Sequence, residues 1–111
     1  MPEAKLSRCR IKNGKVEKLR SWYRELENRS DEVEKTLKHE NMLTETAFIQ
    51  ETEKGFYLYV YMESEELEKA EKSGDEEKFD IDREHHEVLG ECLEGEWRKL
   101  ETIGHLTNPE R

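Results

Sequence analysis

Few side chains in this chain have the chemistry for catalysis or ligand capture, and their spacing sorts them into groups. His85 lies on an apolar helical line with Ile81, Val88 and Cys92. A histidine there is either a hydrogen-bonded core residue or a general base at the edge of a cavity, and position alone favours the core reading. His86 stands four residues after Asp82, which suits a solvated helix pair better than a metal site, since two ligands are too few. Tyr57, Tyr59 and Tyr61 recur at strand spacing on one face, where they could offer phenolic donors to a ligand or form an interface. Arg8 and Arg10 share a face of an early strand, and Glu45 falls within a second one. If drawn inside a cavity, those charges would need one another or an anionic ligand; on an edge strand they would discourage further pairing.

Several chemistries are absent. The chain has no Gly-rich phosphate loop, nucleophile elbow, HExxH or paired-Cys metal motif. Its four histidines include no spacing that selects a haem ligand. Neither metal nor cofactor is therefore predicted. Cys9 and Cys92 have no redox or metal spacing and read as reduced core thiols of a cytoplasmic protein. A net charge of −9 without a basic stripe disfavours nucleic acid and anionic membranes as partners. No apolar run reaches the ~20 residues that span a bilayer, and residues 1–11 lack the apolar core of a leader.

The elements that must position these groups follow from periodicity. Residues 4–11 alternate as a strand, and Asn13-Gly14 turns the chain. Val16, Leu19, Tyr23, Leu26, Ser30, Val33 and Leu37 make one amphipathic helical stripe flanked by Trp22; residues 28–31 kink or restart the helix, with Asp31 and Glu34 as a capping box and only a mild bend expected. Residues 43–50 and 56–62 read as strands joined by a hairpin containing Gly55. Ser64 caps a short acidic helix, a second helix runs from about Asp82 to Glu94, and Gly95 ends it. A final strand covers 97–106 and a tail covers 107–111, with the facing of Trp97 and His105 left open.

This β-α-β-β-α-β order predicts a single α+β domain over 1–111 of the ferredoxin-like βαββαβ type: a four-stranded antiparallel sheet with the helices on one face. The other face, bearing the tyrosines, would be bare. Leu, Ile, Val and Phe total only 22 of 111 residues, so burial against a second copy is expected. Two sheets packed face to face would make a homodimer enclosing a small cavity.

The same order resembles the dimeric α+β barrel superfamily, which includes antibiotic-biosynthesis-type monooxygenases, haem-degrading enzymes and sugar mutarotases. More closely, Thr44-Glu45-Thr46-Ala47-Phe48, Tyr57 to Glu63 and Ile81-Asp82-Arg83-Glu84-His85 resemble a small, mostly archaeal family with no assigned activity. The resemblance implies the fold and the dimer and leaves the chemistry open.

Two functions are expected on these grounds. One is small-molecule binding in the barrel cavity, with or without cofactor-independent catalysis. His85 would then be acid/base, Tyr57, Tyr59 and Tyr61 donors, Glu45 a second carboxylate and Arg8 an anion holder. The other is a non-catalytic interaction module whose tyrosine face only forms the dimer.

Overall fold

The computed structural model describes residues 2–111. Strand β1 spans Glu3–Ile11, and helices α1 (Val16–Asn28) and α2 (Ser30–Glu40) follow. The hairpin of β2 (Met42–Thr52) and β3 (Gly55–Ser64) comes next, then α3 (Leu67–Gly74), α4 (Asp80–Cys92) and β4 (Leu93–Lys99). The sheet order is β2-β3-β1-β4 with every neighbouring pair antiparallel. This is the ferredoxin-like α+β architecture expected from the element order.

Period-two alternation in the central strands divides the sheet. Ser7, Cys9 and Ile11 of β1 and Leu58 and Val60 of β3 are buried beneath the helices. Leu19 of α1 and Cys92 of α4 complete this core with Ile11, Leu58 and Val60. Both cysteines are free and buried, and loss of hydration pushes both thiols up, away from the reactive thiolate. Across the central pair Leu6 meets Tyr61, Arg8 meets Tyr59 and Arg10 meets Tyr57. Opposed residues share a face, so these point away from the helices.

Local expectations are settled or corrected at several points. Of the two alternatives at 28–31 the helix restarts: the stripe is broken into α1 and α2 at Arg29, whose ψ of 42° leaves the helical region. Its guanidinium reaches Glu32 at 2.7 Å and Glu84 of α4 at 2.7 Å, which anchors the break. Arg29, and not an Asp31/Glu34 box, occupies the N-cap of α2 without a side-chain cap. Ser64 is likewise not the cap of α3, whose N-cap is Glu66; the Ser64 hydroxyl donates to the Asn41 carbonyl at 2.6 Å and accepts from the Glu66 N–H at 3.2 Å. Finally, α4 ends at Cys92 and β4 covers Leu93–Lys99 instead of 97–106. Gly95, with φ of +78°, lies where the β1–β4 register slips between Arg8 and Arg10. It serves a strand bulge and not a helix stop.

Beyond β4 the chain still follows β1, the Leu100 N–H donating to the Leu6 carbonyl at 2.8 Å. Its last residues reach Glu63, which is 1% exposed and has Arg111 Nη2 at 2.8 Å and His105 Nε2 at 3.4 Å. Among the described residues no helix is long and apolar enough to cross a membrane.

The two helix pairs hold the sheet unequally, because Leu19 is fully buried whereas α2 has no buried residue. Leu19→Ala is expected to cost about 2–5 kcal/mol by urea unfolding, and Leu37→Ala on α2 under about 1.5 kcal/mol. Equal losses would mean that α2 is packed as tightly as α1.

Candidate functional site

The unequal packing leaves a cleft of about 1390 Å³ between the sheet and the helices. Ser7, Ala47, Ile49, Leu58, Val60 and Met62 form its floor. Tyr23 and Leu26 of α1, Val33, Leu37 and Glu40 of α2, and His85 and Leu89 of α4 line the helical side. An apolar cleft with a few convergent polar groups is the usual form of a small-molecule site.

His85 is held by α1. The Trp22 Nε1–H donates to His85 Nδ1 at 2.8 Å, the two rings stack with centroids 6.0 Å apart, and Tyr23 meets the imidazole edge-on. An indole can only donate, so His85 Nδ1 must be the bare nitrogen and the neutral ring carries its proton on Nε2. Burial, reinforced by His86, pushes the His85 pKa down to about 4. At neutral pH His85 therefore offers a hydrogen-bond donor, not a base.

Carboxyl groups gather opposite. Glu40 is pushed up to about 7 by burial first, then by the charges of Glu45 and Asp82. Glu45 is also raised by loss of hydration, with Lys5 opposing the shift; its surface opens onto solvent in the cleft. Asp82 is the third residue of α4, where one carboxylate oxygen accepts the Phe79 N–H at 2.9 Å and the other accepts the Thr36 hydroxyl. The Tyr23 hydroxyl is buried without a hydrogen-bond partner, and burial together with Glu45 raises its pKa. Among the described residues no group of three or more His, Cys, Asp or Glu side chains is disposed to hold a metal ion.

The structure thus splits the residues singled out in the sequence. His85 and Glu45 line the cleft together. Arg8, Tyr57, Tyr59 and Tyr61 lie on the opposite face of the sheet, so the grouping of Glu45 with Arg8 is corrected: Glu45 pairs with Met62, on the other side of the pleat from Tyr61. On that outer face the Arg8 guanidinium sits 4.9 Å from the Tyr57 ring centre, within cation–π range. Leu6, Phe48, Gln50, Tyr59 and Tyr61 outline a shallow depression of about 450 Å³ there. His86 does not pair with Asp82 but with Glu77 at 3.0 Å. Trp97 lines the cleft, which settles its facing.

Sequence reasoning passed over Trp22, Tyr23, Thr36 and Glu40 as parts of a site, and weighed Asp82 only beside His86. Thr36 and Glu40 stand one helical turn apart, and Asp82 and His85 stand three residues apart. Those spacings mark shared faces, but only the packing of α2 on α4 brings the faces together.

Comparison with known proteins places this geometry. Residues 2–111 match the model of a family of unknown function (DUF6176). No curated protein matches. Among solved structures, a conserved protein from Methanosarcina mazei is similar at 21% identity and a TM-score of 0.60, over 90% of this chain and 89% of that one. A proposed antibiotic biosynthesis monooxygenase from Bacteroides thetaiotaomicron is similar at 12% identity and a TM-score of 0.62, over 95% and 90%. Another from Nitrosomonas europaea has 8% identity and a TM-score of 0.58, over 90% and 94%. At such identities the likeness is one of fold.

The His85 environment sets a pH window. Its folded pKa of about 4 lies below the ordinary 6.5, so the folded chain binds fewer protons there and stability rises with pH between those values. The stability advantage of the native protein over His85→Phe is expected to grow by about 2–3 kcal/mol from pH 4 to pH 7 in urea melts. An advantage that stays constant with pH would mean that His85 titrates alike in both states.

Proposed function

Because the chain belongs to that family of unknown function, which lends it no activity, we propose from its geometry that it binds a small molecule in the cleft between sheet and helices. The observation that carries this reading is the largely apolar cavity that a neutral, donor-bearing His85 and the carboxyl-bearing Glu40 and Glu45 line together. Holding Glu40 and His85 partly buried costs stability unless something uses them. Whether binding leads to cofactor-independent turnover depends on the ligand. His85 would serve it by donating a hydrogen bond, and Glu45 would supply a second carboxyl group.

The outer face favours a second role at the same time. Phe48 is 55% exposed beside Leu6, Tyr59 and Tyr61, and apolar aromatic surface of this kind is typical of interface centres. We assign Tyr57, Tyr59, Tyr61 and Arg8 to a homodimer contact through this face. The ligand site and the interaction surface then occupy opposite sides of one sheet and do not compete.

Native mass spectrometry of the untagged protein tests both. A dimer is expected, and Phe48→Asp should weaken it at least about tenfold, the effect of losing one central aromatic anchor. Any retained ligand mass should survive Phe48→Asp and disappear in Ala47→Trp, which fills the cleft floor. A wild-type monomer would refute the dimer, and a ligand lost with the dimer would move the site to the outer face.

A further inference from the structure

Strand pairing lays out the outer face of the sheet in rows, and one row carries charge that nothing balances. Across it stand Phe48, Tyr59, Arg8 and Arg98, one from each strand in the order β2-β3-β1-β4. The neighbouring row is Gln50, Tyr57, Arg10 and Glu94, and there Arg10 Nε reaches Glu94 Oε1 at 3.1 Å. Arg8 and Arg98 lie directly opposite each other, and among the described residues neither forms an ion pair or a side-chain hydrogen bond. Like charges set opposite across two strands repel. In a chain of net charge −9, with carboxylates in excess, these two arginines have been left without one.

Arg8 is held in place without using its donors. Its guanidinium lies over the Tyr57 ring, 4.9 Å from the centre. A contact with an aromatic face leaves the N–H fork unspent, and that fork grips a carboxylate or phosphate with two hydrogen bonds. Because β1 is an inner strand, Arg8 is half-buried in the body of the face and not at its rim. The face cannot neutralise itself by meeting its own image. A homodimer contact of this kind is isologous, so a second copy brings the same groups, two more arginines included. Of the carboxylates that the strand register places on this face, Glu94 is held by Arg10, and Glu63 by Arg111 and His105. Glu96 stands in the bulge, outside the pairing. Charges removed from water need partners.

We propose that Arg8 and Arg98 form an oxyanion site on the outer face, and that a small molecule bearing a carboxylate or phosphate group, seated there, neutralises the face for its pairing with a second copy. The inference rests on the homodimer contact through this face and specifies what regulates it. Dimer formation and anion binding are linked, each strengthening the other. The site is separate from the cleft, on the other side of the sheet. The volatile acetate of native mass spectrometry, itself an oxyanion, takes this site in that measurement, so ligand mass retained there reports the cleft.

The test is the dimer dissociation constant by sedimentation velocity, in sodium chloride and in inorganic phosphate at the same ionic strength and pH. Phosphate at about ten times its own dissociation constant is expected to tighten the dimer about tenfold. The Nε–Hε NMR signals of Arg8 and Arg98, assigned by their loss in Arg8→Gln and Arg98→Gln, should shift with a common midpoint as phosphate is added. Arg98→Gln relieves the repulsion, so it should dimerise in chloride at least as tightly as the wild type and lose the phosphate response. Arg83→Gln on α4 removes the same charge from the helix side and should keep that response. A dimer equally tight in the two salts, with unmoved arginine signals, leaves the homodimer standing and overturns this inference alone. Arginine signals that move without a tighter dimer put the anion outside the contact and overturn the linkage. A dimer weakened alike by Glu96→Gln and Arg98→Gln, and indifferent to phosphate, would show a carboxylate of the second copy in the site and overturn the ligand. A monomer in every buffer refutes the homodimer and this inference with it.

Discussion

The place where the helix layer is fastened to the sheet decides most of what this molecule can do. Leu19 of α1 and Cys92 of α4 close against Ile11, Leu58 and Val60, and the apolar core is concentrated there. A chain with so few large apolar residues cannot press helices along the whole length of four strands. The layer is therefore tight at that core and open over β2, where the helix-facing residues are Glu45, Ala47 and Ile49. Helix α2 spans the gap without burying any residue of its own. Polar ties hold it: Arg29 to Glu84 at the break with α1, and Thr36 to Asp82 further along. Single exposed ion pairs contribute little, so the roof of the cleft rests on contacts weaker than those beneath α1. Such an element opens at lower cost than the core beneath α1.

The same ties explain the electrostatics of the cleft. Asp82 completes the first turn of α4 through the Phe79 N–H, and that structural duty places a carboxylate at the wall. Glu40 ends α2 just before Asn41, which takes the left-handed conformation with φ of 58° that closes the helix. Capping chemistry at two helix ends thus brings two carboxyl groups to one side of the cavity, and Glu45 on β2 adds a third. Across from them Trp22 uses its only donor on His85, which removes a basic nitrogen that could have neutralised the cluster. With the histidine kept neutral and Lys5 drawn to Glu71, burial and the neighbouring carboxylates raise the Glu40 pKa, and the Thr36 hydroxyl and His39 oppose the rise.

Much of the fold was legible because it depends on periodicity. The alternation of Phe56 to Met62 and the helical line through Ile81, His85, Val88 and Cys92 both survive in the structure. The element order and sheet type followed from them. Element ends were read less well, because they depend on single residues with more than one use. Gly95 suits a helix stop and a strand bulge equally, and only the β1–β4 register distinguishes them. For the site, His85 and Glu45 were visible as residue types in suggestive positions. Their common cavity was not, because it arises from how loosely α2 sits on the sheet, a property of packing and not of pattern. Glu40 was passed over since nothing local marks a glutamate that becomes notable through Asp82, forty-two residues away in sequence.

Strand parity ties these features to one another. In β3 the sequence Phe56-Tyr57-Leu58-Tyr59-Val60-Tyr61-Met62 assigns alternate residues to the cleft floor and to the outer face. A slip of one residue against β1 would exchange the two sets, sending the tyrosines under the helices and Leu58 and Val60 into solvent. The pairing is protected at both ends. At the hairpin, the Thr52 hydroxyl donates to the Gly55 carbonyl at 2.8 Å. At the other end, Glu63 is buried on the outer face and contacted by Arg111 and His105, so a slip would strand a buried carboxylate. That contact is made by the segment after β4, whose Ile103 and Leu106 are 92% and 99% exposed and contribute no apolar packing. The final segment is therefore held by its backbone bond to β1 and by Glu63, and the burial of Glu63 in turn depends on the segment staying in place. The outer face and the cleft floor are two readings of one register, and the ion pair that closes the chain helps to keep both.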